Sequence, residues 1–308
     1  MSTAAPVARI RSGERIDALR AEGRAALIGY LPAGFPSYDL AVEALTAMVE
    51  EGVDAVEIGM PYSDPLMEGP VIQAAHQASL EAGTRQADVL RTVEAVAATG
   101  APTLVMGYWN PVHRYGFERW AADLKAAGGT GAITPDLIPE EATEWLDACR
   151  AHDLDPVFLV APSSTDERIA VVGRTNRGFV YAAAVMGVTG ARAELGAGAR
   201  RLADRVRQQT ALPVAVGIGV STRAQASQVA GFADGVVVGS ALVAALADGG
   251  VRNQRVEQRD SGVHTVYDQL AQGARQPRQG LGPVAPVHDQ LGDQGVVEWR
   301  DAVAVVER

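Results

Sequence analysis

Two acidic residues, Glu57 and Glu68, stand out in this 308-residue chain as groups that could do chemistry. Glu57 interrupts the apolar run Val53-Asp54-Ala55-Val56-Glu57-Ile58-Gly59. A charge pointing into an apolar core is expensive to desolvate without a partner. Such a carboxyl acquires a raised pKa and can act as an acid or base near neutral pH. The same residue also reads as a strand-end glutamate paired with a neighbouring arginine, and the strand alone does not separate the two. Glu68 follows in Pro61-Tyr62-Ser63-Asp64-Pro65-Leu66-Met67-Glu68-Gly69-Pro70, a loop fixed at both ends by proline and carrying a further acid, Asp64. It reads either as a functional loop or as an ordinary surface connection.

A second constellation is rich in glycine. Val188-Thr189-Gly190, Gly217-Ile218-Gly219 and Val238-Gly239-Ser240 each end an apolar run, and the last opens the helical stretch Ala241–Ala247. Glycine lets a backbone approach a phosphate, and a helix N-terminus aims free N–H groups at it. Each glycine alone is equally a turn, but their recurrence at the ends of consecutive strands points to phosphate binding. The acidic balance does not oppose this, because backbone donors need no lysine or arginine. With 27 Lys plus Arg against 37 Asp plus Glu, the net charge of −10 disfavours nucleic acid and anionic membranes as partners. His76, His113, His152, His264 and His288 are far apart in sequence, so no metal site is expected.

The elements that must position these groups follow from rhythm. From about residue 25, short β-branched runs alternate with longer amphipathic stretches: Ala26–Tyr30, Ala55–Gly59, Thr103–Tyr108, Gly131–Thr134, Val157–Val160, Phe179–Ala183, Val214–Gly217 and Gly235–Val238. Eight βα units predict an α/β chain folded as a (β/α)8 TIM barrel, whose active site lies at the C-terminal ends of the strands. A doubly wound sheet fits less well, because the first turn reads Leu-Pro-Ala-Gly-Phe-Pro and lacks a dinucleotide-binding pattern. Apolar faces recur at helical spacing in Phe117, Trp120, Ala121, Leu124 and in Ala142, Trp145, Leu146, Cys149, which makes the lone cysteine core filling. Val263, Val266, Tyr267, Leu270 and Ala274 share a face and predict a closing helix. Residues 1–276 are expected to form the barrel with an N-terminal helix, and the Pro- and Gly-containing stretch 277–308 an extended, mobile tail. No apolar signal core opens the chain and no run of 18 apolar residues occurs, so a cytoplasmic protein is expected.

The segment from Val56 to Pro70 resembles the signature of the tryptophan synthase alpha chain family. It is joined by Tyr30-Leu31-Pro32-Ala33-Gly34-Phe35-Pro36, Tyr108-Trp109-Asn110-Pro111-Val112 and Gly187-Val188-Thr189-Gly190, with a weaker match at Leu270–Arg275. The resemblance covers about residues 12 to 250. It implies a lyase that cleaves indole-3-glycerol phosphate to indole and glyceraldehyde 3-phosphate in tryptophan biosynthesis. Glu57 then falls on the general acid/base, and Glu68 on the carboxylate that holds the indole N–H. Tyr30, Ile72, Tyr108, Ile133, Tyr181 and Thr189 line the pocket, and Gly190, Gly219, Gly239 and Ser240 hold the phosphate. The resemblance implies no cofactor on this chain. It implies a partner, a beta chain carrying pyridoxal phosphate, in an alpha2beta2 heterotetramer with the loop from Pro61 to Gly69 near the interface. One departure stands out: the second carboxylate is normally aspartate in this family, and here it is Glu68.

Three other readings share parts of this pattern. A sugar-phosphate isomerase or epimerase would need a differently placed base, often a lysine or a metal, and the single lysine, Lys125, falls on an expected outer helix. A weakly active paralogue that binds and activates a beta chain, and a free-standing lyase of secondary metabolism, share the site and differ in their need for a partner.

Overall fold

Strands that are apolar along their whole length need cover on both faces, which a parallel sheet obtains from the helices that connect its strands. The computed structural model describes residues 10–184, 192–217 and 219–253. Its strands are β1 (Ala26–Pro32), β2 (Ala55–Gly59), β3 (Thr103–Met106), β4 (Gly131–Ile133), β5 (Asp155–Val157), β6 (Leu159–Val160), β7 (Val180–Ala183), β8 (Val214–Gly217) and β9 (Gly235–Val238). All pair in parallel, in the order β5-β4-β3-β2-β1-β9-β8-β7-β6. Only Phe158 separates β5 from β6, so the two form one interrupted run and the ladder circles back on itself as a (β/α)8 barrel.

The interruption corrects the expected continuous strand Val157–Val160, and it falls where Asn176, at the C-terminal end of the helix Asp166–Thr175, meets the chain. The Phe158 N–H donates to Asn176 Oδ1 at 3.0 Å, while Asn176 Nδ2 donates to the carbonyls of Phe158 at 3.0 Å and Phe179 at 2.9 Å. A buried side-chain amide thus replaces the missing backbone partner. At β3 the expected strand ends early, at Met106: Tyr108 is the N-cap of the helix Trp109–Tyr115 and sits at the mouth of the barrel.

Side chains alternate between the two faces of a strand. Ala26 and Ile28 of β1, Ala55 of β2, Leu104 of β3, Ile133 of β4, Val157 of β5 and Val237 of β9 pack together in the barrel interior. Ile16 and Leu19 of the helix Ser12–Ala21 join them and plug the N-terminal end. Ion pairs at the strand starts hold this plug: Arg15 meets the buried Asp54 at 2.8 Å, and Arg11 binds the buried Asp155 and, at 2.6 Å, Asp153. Outside, helices Phe117–Ala126 and Thr143–Ala151 bury most of the faces expected of them, Trp120, Ala121 and Leu124 on one and Trp145 and Cys149 on the other; Phe117 and Leu146 are partly buried, and Ala148, not expected, is buried too. Burial also pushes the Cys149 thiol pKa up, as befits core filling. The expected closing helix around residues 263–274 and the stretch 277–308 lie outside the described residues.

Replacing Asn176 by alanine leaves the Phe158 N–H and C=O buried and unpaired, so Asn176→Ala is expected to lose about 3 kcal/mol in urea melts. A loss below about 0.5 kcal/mol would show that the amide does not hold the broken strand together.

Candidate active site

With the N-terminal end plugged, the C-terminal mouth is where side chains can meet a ligand. Ala55 lies in the interior, so Glu57, two residues further along β2, points the same way one layer higher. In register it stands between Tyr30 of β1 and Leu104 of β3. Glu57 is 0% exposed, and neither carboxyl oxygen has a hydrogen-bond partner among the described residues. The arginine-paired alternative therefore finds no support. Burial pushes its pKa up to about 8, which leaves the carboxyl protonated at neutral pH.

Glu68 arrives from the loop after β2. The Tyr108 hydroxyl donates to Glu68 Oε2 at 2.5 Å and accepts from the backbone N–H groups of Leu66 at 2.6 Å and Met67 at 3.0 Å. The Met67 N–H also donates to Glu68 Oε2 at 3.2 Å, and Gln73 Nε2 donates to the Glu68 carbonyl at 2.8 Å. The Tyr108 ring stacks on Tyr62 with centroids 4.8 Å apart. These bonds make the segment a held loop over the mouth.

Between the two acids lies a cavity of about 180 Å³. Glu57, Tyr30, Tyr181, Ile72, Glu68, Gly219, Gly239 and Ser240 line it, with Gly239 packed against the Tyr30 and Ile72 side chains. Gly59 and Gly217 make room for the tyrosines: a Cβ at Gly59 would fall 2.3 Å from the Tyr30 hydroxyl, and one at Gly217 2.3 Å from that of Tyr181. Gly217, read from sequence as part of a phosphate turn, is needed for this close approach. Burial, reinforced by Glu57 and Glu68, raises the pKa of both tyrosines well above the ordinary phenol value, so both stay protonated. Gly219 has φ +91°, a conformation that favours glycine. Ser240 opens the helix Ser240–Asn253, whose first N–H groups have no partner within the helix and suit an anion.

The structure thus brings together Glu57, Glu68, Tyr30, Ile72, Tyr181, Gly219, Gly239 and Ser240. Tyr108 stands behind Glu68, and Ile133 is fully buried in the interior cluster, so neither is part of the described cavity lining. Thr189 and Gly190 lie outside the described residues. Sequence reasoning missed Met67, Met106 and Val237, which add apolar lining. For Met106 and Val237 the signal was available, since each continues the inward-facing alternation of its strand. It also missed His76, buried on the helix Pro70–Glu81, whose Nε2 lies 2.8 Å from the Tyr30 hydroxyl. Burial lowers the His76 pKa and keeps the ring neutral. A larger depression of about 520 Å³ lies at the N-terminal end, but its two arginines, Arg15 and Arg24, are engaged with Asp54 and it holds none of these groups. Among the described residues no cluster of His, Cys, Asp and Glu could hold a metal ion.

The family model for the tryptophan synthase alpha chain matches residues 16–274. The chain belongs to the tryptophan synthase alpha chain family. A relative of that name from Mycobacterium avium is 52% identical over 266 residues, covering 86% of this chain and 95% of its own length. One from Salinispora arenicola is 59% identical over 236 residues, covering 77% and 88%. A solved structure of Mycobacterium tuberculosis tryptophan synthase matches at 51% identity with a TM-score of 0.78, over 87% of this chain and 99% of that one. As a tryptophan synthase alpha chain, the protein is a carbon–carbon lyase that cleaves indole-3-glycerol phosphate in tryptophan biosynthesis.

The raised pKa of Glu57 makes stability depend on pH with a definite sign. Below about pH 4.5 the carboxyl is protonated in both states; between there and about pH 8 only the unfolded chain releases the proton, so stability falls as pH rises through that window. Glu57→Gln is expected to melt above the parent at pH 8 and to converge with it towards pH 5. A gap that stays constant over this range would show that Glu57 ionises as an ordinary surface acid.

Proposed function

We propose that Glu57 and Glu68 divide the cleavage of indole-3-glycerol phosphate between them. The carrying observation is the fully buried, unpartnered Glu57 carboxyl, protonated at neutral pH and lining the same cavity as a held carboxylate. Protonated Glu57 donates to C3 of the indole ring, and positive charge develops on the ring nitrogen. Glu68 accepts the indole N–H and stabilises that charge. The Glu57 carboxylate then takes the proton from the adjacent glycerol hydroxyl. The carbon–carbon bond breaks as the carbonyl of glyceraldehyde 3-phosphate forms, and its electron pair restores the aromatic ring of indole. Tyr30, Ile72 and Tyr181 offer the indole flat, mostly apolar walls. Backbone N–H groups at Gly219, Gly239 and Ser240 receive the phosphate; the family resemblance assigns Gly190 to the phosphate as well, and Thr189 to the pocket for the indole and glycerol.

The partner is the tryptophan synthase beta chain, in an alpha2beta2 heterotetramer, and pyridoxal phosphate belongs to that chain. The cytoplasm is the compartment that fits a biosynthetic enzyme of this family.

Glu57→Gln keeps the shape of the site and removes the proton donor, so turnover is expected to fall at least ~100-fold while affinity for glycerol phosphate stays within about threefold. Retention of more than about a tenth of the parent turnover would exclude Glu57 as the essential acid. Gly219→Asp places bulk, backbone strain and negative charge at the phosphate end and is expected to weaken glycerol phosphate binding by more than about tenfold. Unchanged affinity in calorimetry, with a normal melt, would put the phosphate elsewhere.

A further inference from the structure

A tyrosine hydroxyl has one proton to give and two lone pairs to receive. Tyr108 uses all three on successive residues of one loop: it accepts from the N–H groups of Leu66 and Met67 and donates to Glu68 Oε2. The second bond to the Glu68 carboxylate, from the Met67 N–H, also falls on Oε2. Among the described residues no bond falls on Oε1, and Glu68 lines the cavity.

We propose that Tyr108 is a positioning residue that sets the reach of Glu68, drawing Oε2 back against the loop so that Oε1 alone is aimed at the indole nitrogen. The proposal rests on the reading of Glu68 as the acid that meets that nitrogen. A glutamate has one methylene more than an aspartate, about 1.5 Å of extra reach, and one more rotatable bond. Left free, that side chain must be ordered in each turnover, and a misplacement near 1 Å costs ~100-fold in rate. Fixing one oxygen to a hydroxyl that is itself fixed to the loop backbone removes the freedom in advance and ties the position of the acid to that of the loop. The bond needs the phenol proton. Burial and the Glu68 bond both raise the Tyr108 pKa, so the proton is present at any working pH. The charged and titratable neighbours that feel Glu68 are Tyr30, His76, Asp136 and Tyr181, and no bond to its carboxylate comes from any of them among the described residues.

Tyr108→Phe removes the hydroxyl and keeps the ring stacked on Tyr62, which makes it the test, in the full chain with and without the beta chain. The expected result is a fall in kcat of about 10- to 100-fold with KM within about threefold, weaker binding of indole, and unchanged binding of glycerol phosphate. In a Glu68→Ala background the same substitution should cost less than about twofold, read from indole affinity where turnover becomes too slow. Glu68→Asp supplies a second background: the shorter acid does not reach the hydroxyl and the pocket together, so Tyr108→Phe should again cost little there. Equal costs in the parent and in both backgrounds would overturn the proposal, as would loss of glycerol phosphate affinity in step with indole affinity. Full activity in Tyr108→Phe beside a large loss in Glu68→Ala would reject Tyr108 and leave the role of Glu68 intact. No loss in Glu68→Ala would reject that role, and this proposal with it.

Discussion

The arrangement of the mouth depends on keeping one carboxyl, that of Glu57, dry and unpaired. A cation within a few ångströms would restore it to an ordinary ionised acid and remove the proton that the reaction needs. Among the described residues that line its cavity there is accordingly no lysine or arginine: the Tyr30 and Tyr181 phenols and His76 behind Tyr30 are neutral at neutral pH, and the other ionisable group in the lining is an acid, Glu68. Strong ion pairs are placed at the opposite end. Arg11, Arg15 and Arg24 meet Asp54, Asp153 and Asp155 there, and they fasten the helix that plugs the barrel. One end of the barrel is built for stability, and the other holds a group that lowers it.

Space around that carboxyl is governed by two glycines. Gly59 and Gly217 end β2 and β8, and each leaves out a Cβ where a neighbouring strand sends a tyrosine ring inward. Larger residues at either position would push the phenols into the cavity. The result is a slot with flat walls and a few polar tips, the form that suits an indole carrying a hydroxylated tail.

Glu68 meets a different constraint. Because it sits on a loop and not on a strand, its backbone has no ladder to hold it, and the chain supplies the missing rigidity through Tyr108 and Gln73. The Tyr108 hydroxyl therefore matters twice, to the loop as an acceptor and to the acid as a donor. Where the family resemblance implies aspartate, this chain joins a longer acid to the Tyr108 hydroxyl.

Glu57 was legible as a candidate because a charged residue broke an apolar run, and strand alternation already gave its direction relative to Ala55. The barrel was legible for a similar reason, since β-branched runs and amphipathic stretches record the local period of the backbone. Those signals are properties of neighbouring residues, so a linear chain carries them whole. Whether Glu57 had an arginine partner was not legible, because a partner could come from any of the loops that closure brings together. The same holds for Asn176 bridging the broken strand, for Tyr181 claiming the space at Gly217, and for the bond from Tyr108, which the family resemblance assigned to the pocket wall, to Glu68. Each is a contact between residues brought side by side only when parallel strands pair and the barrel closes. Spacing along the chain determines which way a side chain points; what it meets there is decided by tertiary closure.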